Sequence, residues 1–170
     1  MSIPIVHPAH LYYNQTLFAD VAENSLFSVF CSGDRIFDCL ELATLEELFQ
    51  MGAKINETDK KYGMNFLQWC IVEECSYAEV NEFERIVNWL FVNGIEIDHQ
   101  DFKGRTALHL AVSEGMFDLA KMLLNQGANR SIVDANGRTA HDYMSDFVPE
   151  IMSDSDEKDR EEILALLKIK

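Results

Sequence analysis

Basic residues are scarce in this chain: 14 Lys and Arg stand against 29 Asp and Glu, a net charge of -15 over 170 residues. Phosphate backbones are gripped by a stripe of Lys and Arg, so direct nucleic-acid binding is disfavoured. Proline is rarer still, with 3 in all, and glycine is limited to 8. That leaves no flexible linker, and a chain of this length reads as one domain with a continuous core. No apolar run is long enough to span a bilayer, so no membrane association is expected. Met1 to Pro8 is mixed and Pro-containing, unlike the charged-then-apolar leader of a secreted protein. Cys31, Cys39, Cys70 and Cys75 show neither a disulfide framework nor a zinc spacing. Gly-x-Gly and P-loop patterns are missing too. The expectation is a monomer of the reducing cytoplasm with no cofactor and no metal.

What is present is concentrated between Asp101 and Ala128. Asp101 to Gly104 and Asp134 to Gly137 are polar, Gly-ended tetrapeptides suited to tight turns. Thr106 is placed to cap a short helix whose buried face carries Leu108, Ala111 and Val112. Gly115 breaks it. A second helix follows, with Phe117, Leu119, Ala120, Leu123 and Leu124 on a 3.6-residue period, and Gly127 stands where a left-handed cap is needed. One such hairpin cannot bury its own apolar face, so it must stack on neighbours. The pattern recurs accordingly. Gly104, Thr106 and Ala107 return as Gly137, Thr139 and Ala140, an offset of 33 residues. Gly127-Ala128 is echoed by Gly94-Ile95 and Gly52-Ala53, each after an apolar pair: Leu123-Leu124, Leu90-Phe91 and Leu48-Phe49.

The run Gly104-x-Thr106-x-Leu108-His109-x-Ala111, then Gly115, then Leu123-Leu124-x-x-Gly127-Ala128 resembles an ankyrin repeat almost position by position. The resemblance implies an all-α solenoid of about four helix-turn-helix units with β-turn tips. Residues 1–21 form an N-terminal arm or cap, and their spacing at Val6, Leu11, Leu17, Phe18 and Val21 leans towards a cap. A degenerate first repeat covers 22–58, a second covers 59–100, a near-consensus third covers 101–133, and a capping repeat covers 134–170. The second repeat has Asn65-Phe66-Leu67-Gln68 where the family has Thr-Pro-Leu-His, and about eight extra residues near 73–83 that extend a helix or form a surface loop. Cys70 matches the buried Ala111 and reads as a small core residue. The last repeat replaces Leu-His by His141-Asp142, and its second helix is expected over Asp156 to Ile169 after an acidic break at Pro149 to Ser155.

No enzyme is visible. In the family the residue at His109 is a structural hydrogen-bonder between turns. His141 and Asp142 are adjacent on a helix and do not face each other. His7 and His10 are separated by Pro8, with no carboxylate or thiol near. Cys75 stands among Glu73, Glu74 and Glu79, a negative field that raises a thiol pKa and so disfavours a nucleophile.

The resemblance points instead to protein binding through a concave face made of turn tips and first helices. Carried over by position, the candidate contacts are Lys61, Met64, Phe102, Lys103, Arg105, Asn136 and Arg138 at the tips. Val72, Glu73, Ser113 and Glu114 follow on the first helices, with Glu74 and Tyr77 in the insertion. Phe102 is either an exposed anchor or packs against the next turn. Trp69 is either core or groove. Residues 146–162 hold eight carboxylates and two bases, and 73–84 hold five carboxylates and no base. Such acidity either keeps a protein soluble or meets a basic partner. The expected function is therefore a non-enzymatic binder. It is either a general adaptor or an acidic cognate inhibitor, such as an immunity protein that neutralises a basic toxin or nuclease.

Overall fold

The computed structural model describes residues 42–50, 52–72, 80–146 and 154–168. The expected arm or cap, the first helix of the first repeat, and Glu73, Glu74, Cys75, Tyr77 and Glu79 of the insertion lie outside the described residues. Seven helices appear among those described: α1 (Leu42–Gln50), α2 (Phe66–Val72), α3 (Val80–Val92), α4 (Ala107–Ser113), α5 (Phe117–Asn125), α6 (Ala140–Asp146) and α7 (Asp154–Leu167). The short helices α2, α4 and α6 stack on one another in that order; α1 packs on α3, and α5 on α7. This is a solenoid of helix pairs.

Helix α4 shows why the units form and why they stack. Thr106 holds extended backbone at its N-cap, and the His109 side chain three residues on reaches back to the Thr106 N–H. Helices α2, α5 and α6 all pack against α4. Every residue from Ala107 to Val112 is buried, so the burial extends beyond the expected Leu108, Ala111 and Val112 to Ala107, His109 and Leu110. A helix enclosed on this many sides is apolar nearly all round. Helix α5 keeps an amphipathic pattern: Phe117, Leu119, Ala120 and Leu123 are buried, while Asp118 and Asn125 face solvent.

The C-terminal closures confirm the repeat alignment. The Gly127 N–H donates to the Leu124 carbonyl at 3.1 Å, and the Ala128 N–H to Leu123 at 3.0 Å. Gly94-Ile95 repeats the pair onto Phe91 and Leu90, and Gly52-Ala53 repeats it onto Phe49 and Leu48. Carbonyls orphaned at each helix end are satisfied by the same device.

Three expectations are resolved or corrected. Residues 80–83 of the insertion extend a helix, since α3 has 13 residues against 9 in α5. The last helix runs Asp154–Leu167 rather than Asp156 to Ile169, so it takes in part of the supposed acidic break. Carboxylates are favourable at a helix N-terminus because the helix dipole is positive there, so acidity alone does not mark a break. Trp69 is core: it is 7% exposed and stacks on Phe66, with ring centroids 6.0 Å apart.

Candidate functional site: the turn-tip ribbon

Three turns carry the candidate contacts, and each is organised by one aspartate. Asp101 Oδ1 accepts from the Lys103 and Arg105 N–H groups at 2.9 and 2.8 Å, and Asp134 Oδ1 does the same for Asn136 and Arg138. In the first turn Asp59 Oδ1 accepts from Lys61 and Tyr62, and Oδ2 from Met64 at 2.7 Å. A backbone pair closes each turn: Asp101 with Arg105, Asp134 with Arg138, Asp59 with Met64. The side-chain bonds are Asx-type, the reason Asp is favoured in such turns. Because Gly63 lies four residues after Asp59, whereas Gly104 and Gly137 lie three after theirs, the first turn is one residue longer.

The turns are sewn together. The Phe102 N–H donates to the Tyr62 carbonyl and the Ala135 N–H to the Lys103 carbonyl, both at 2.9 Å. Beneath them runs a side-chain ladder. His109 Nδ1 accepts the Thr106 N–H at 3.2 Å, which puts its proton on Nε2; that N–H donates to the Arg138 carbonyl at 3.1 Å. Gln68 does the same work one turn earlier. Its Oε1 accepts the Asn65 N–H at 3.0 Å, and its Nε2 donates to the Arg105 carbonyl at 2.6 Å and to His99 at 3.1 Å. Asn65-x-x-Gln68 is thus the physical equivalent of Thr106-x-x-His109, a role its sequence did not advertise. In the last turn Asp142 Oδ2 accepts both the N–H and the hydroxyl of Thr139 at 2.8 Å. A carboxylate has no proton to pass to a further turn, so the ladder stops there.

The electrostatics follow from these bonds. Burial pushes the His109 imidazole below its ordinary value, although the Arg138 carbonyl and the carboxylates of Asp134 and Asp101 pull the other way. Burial alone would raise the Asp134 carboxyl, but hydrogen bonds from Arg138, Tyr143 and Asn136 together hold it down at about 2. The hydrogen bonds from Thr139 keep Asp142 low. Each perturbed group therefore has a structural partner. Among the described residues there is also no cluster of His, Cys, Asp or Glu able to hold a metal ion.

Placement of the expected contacts is uneven. Lys61, Phe102, Lys103 and Asn136 are exposed at the tips, as are Val72 and Glu114 on their helices. Met64 is a correction: it is 4% exposed and belongs beneath the tip, because the extra residue in the first turn shifts the outward position to Tyr62, which is 45% exposed. Arg105 is half-buried and held by Asp101, Nη2 to Oδ2 at 2.7 Å. Arg138 is half-buried with its guanidinium 4.4 Å from the Tyr143 ring centroid. Ser113 is half-buried, and its hydroxyl donates to the Leu110 carbonyl. Glu73, Glu74 and Tyr77 lie outside the described residues.

Phe102 is exposed and also packed, but on the preceding turn rather than the next one. The ring lies on the preceding turn, so close that a Cβ on Gly63 would be 2.5 Å from two ring carbons, and yet the residue is 73% exposed. One face of the ring is seated and the rest is offered to solvent. Lys60 and Tyr62, which complete this corner of the ribbon, were missed. The signal available was the four-residue spacing from Asp59 to Gly63.

Comparison with known proteins places this geometry. Residues 75–145 match the family model for ankyrin repeats in three copies. The tyrosine-protein kinase HTK16 of Hydra vulgaris is 49% identical over 43 residues, 25% of this chain and 6% of that protein. The L-asparaginase of Dirofilaria immitis is 31% identical over 90 residues, 53% of this chain and 14% of that protein. The chain thus spans only a small part of these curated relatives. Among solved structures, the ankyrin repeat domain of Bcl-3, a member of the IkappaB protein family, superposes with a TM-score of 0.55 at 22% identity, covering 74% of this chain and 46% of that one. Repeats of this kind serve as protein–protein interaction modules. The family match is thus confined to residues 75–145, and with the recurring turns and closures it agrees with the ankyrin-repeat fold that the chain shares.

Proposed function

We propose that this chain is a non-enzymatic binder that engages a protein partner along its turn-tip ribbon and the adjoining edge of α2 and α4. The observation that carries the reading is Phe102, a large aromatic side chain held in place on Gly63 with most of its surface open. An aromatic group fixed before binding loses little conformational freedom on contact, and such residues dominate interface energetics. Val72, 40% exposed on α2, and Glu114 at the end of α4 extend the surface beyond the tips.

A finer reading is an acidic cognate inhibitor of a basic toxin or nuclease, favoured by the net charge of -15 and by the exposed Glu157, Glu161 and Glu162 on α7. An electrostatically steered inhibitor associates fast at low salt and loses that rate as salt screens the field. The alternative is a general adaptor whose apolar contacts are indifferent to salt. The test is an affinity pull-down from the native lysate at low and high salt, run with the wild type and Phe102→Ala and read by mass spectrometry. A partner lost with Phe102→Ala supports the ribbon as the contact surface. A single basic partner that weakens with salt supports the inhibitor; several salt-insensitive partners support the adaptor. Partners retained in full by Phe102→Ala would remove the tips from the interface.

A further inference from the structure

The tips carry a charge opposite to that of the molecule. Lys60, Lys61, Lys103 and Arg138 stand on the ribbon, in a chain with only 14 basic residues. The aspartates of the turns themselves are engaged by backbone. Asp101 and Asp134 are buried, and Asp59, Asp101 and Asp134 spend their oxygens on the N–H groups of their own turns. What faces outward at the first two turns is therefore ammonium groups around two aromatic rings. Lys60, Tyr62, Phe102 and Lys103 are all exposed, and Lys61 Nζ lies 4.6 Å from the Tyr62 ring centroid.

Resting on the proposed ribbon site, we infer that its occupant is an acidic peptide segment carrying an apolar side chain: carboxylates meet Lys60 and Lys103, and the apolar group covers Phe102 and Tyr62. Net charge argues for a basic partner, but net charge acts at long range, and the contact is decided within a Debye length of about 8 Å at physiological salt. At that distance a docked segment meets Lys60 and Lys103, whose turn aspartates are already engaged by their own backbone. The same length scale disfavours extended polyanions. A nucleic acid or an anionic membrane crossing the ribbon would also lie against the acidic remainder of a molecule with 29 carboxylates, and would be repelled there. A short acidic segment meets only the favourable part.

A random peptide library displayed on phage and panned against the full chain tests this. The expected winners are rich in Asp and Glu and contain an aromatic or aliphatic residue. A labelled synthetic copy, followed by fluorescence anisotropy, should weaken about tenfold or more with Phe102→Ala, as removal of a hot-spot anchor does. It should weaken similarly with the double change Lys60→Glu and Lys103→Glu, and more at high salt. Both lysines are exposed, so an unchanged melting temperature in the double variant shows that folding is not the cause. Glu46→Lys and Glu47→Lys, exposed on α1, should leave the affinity unaltered. Winners that are basic but still need Phe102 overturn the charge class while leaving the protein-binding reading intact. Winners indifferent to every tip substitution overturn both. Tip-dependent retention of single-stranded DNA or phosphatidylserine vesicles, with no acidic peptide selected, overturns the inference in favour of those ligands.

Discussion

At the scale of single residues, two glycines with similar backbone angles separate strain from contact. Gly104 has φ +74° and Gly127 has φ +90°, a region where an L side chain is strained by about 1–2 kcal/mol. A Cβ on Gly127 would meet nothing within 4 Å, whereas one on Gly104 would come 2.8 Å from the Ala135 nitrogen and 3.1 Å from the Asp134 carbonyl carbon. Backbone of the next turn cannot rotate aside as a side chain can, and overpacking of this kind adds about 1–3 kcal/mol. Gly104→Ala is therefore expected to cost clearly more than Gly127→Ala in urea-denaturation midpoints. Equal losses would mean that the two turns are not stacked as closely as described.

At the scale of elements, the ladder under the tips couples turn to turn, and its His109 rung makes that coupling sensitive to acid. Burial lowers the imidazole pKa from 6.5, so just below that pH the unfolded chain binds a proton that the folded chain refuses. The contribution is fully present above about pH 6.5 and shrinks as pH falls through that value towards the lower folded pKa. Gln68 already shows that a neutral amide can carry the same bonds. His109→Gln should accordingly stay within about 1 kcal/mol of the wild type at pH 7.5, because both hydrogen bonds can be kept. Between pH 7 and 5 its melting temperature should fall less than that of the wild type. Parallel pH profiles would show that the buried imidazole is not the group responsible.

For the whole molecule, salt has two opposite consequences. A net charge of -15 makes the compact state repel itself, so raising ionic strength towards about 0.15 M should raise the melting temperature. The last helix responds the other way. Lys121 on α5 bridges Asp159 at 2.7 Å and Glu162 at 2.9 Å on α7, and those hydrogen bonds lift the ammonium pKa well above its usual value. These pairs are partly exposed and screened by salt. Hydrogen exchange over 154–167 should quicken with salt even as the global melting temperature rises, and Lys121→Met should quicken it at low salt only. Slower exchange of α7 in salt would mean that apolar contacts, such as the buried Ile163 and Leu167, outweigh the Lys121 pairs in anchoring it.

The sequence by itself determined the repeat. Each unit is a local signal of caps, turn residues and a 3.6-residue period, so Thr106, Gly127 and the 33-residue offset sufficed to place α4, α5 and α6. The insertion was legible as extra length, but its outcome at 80–83 was not, because helix extension depends on what α3 packs against. Only the tertiary structure decided the ribbon. That Gln68 stands in for His109 depends on the Arg105 carbonyl, 37 residues away, arriving within 2.6 Å of Nε2. That Met64 is buried while Tyr62 is open depends on how the longer first turn folds over α2. Phe102 is both seated and exposed because Gly63 lies beneath its ring, a contact between residues 39 apart. Local patterns record which way the chain turns; which side chains reach solvent is settled by neighbours that stacking brings in from far along the chain.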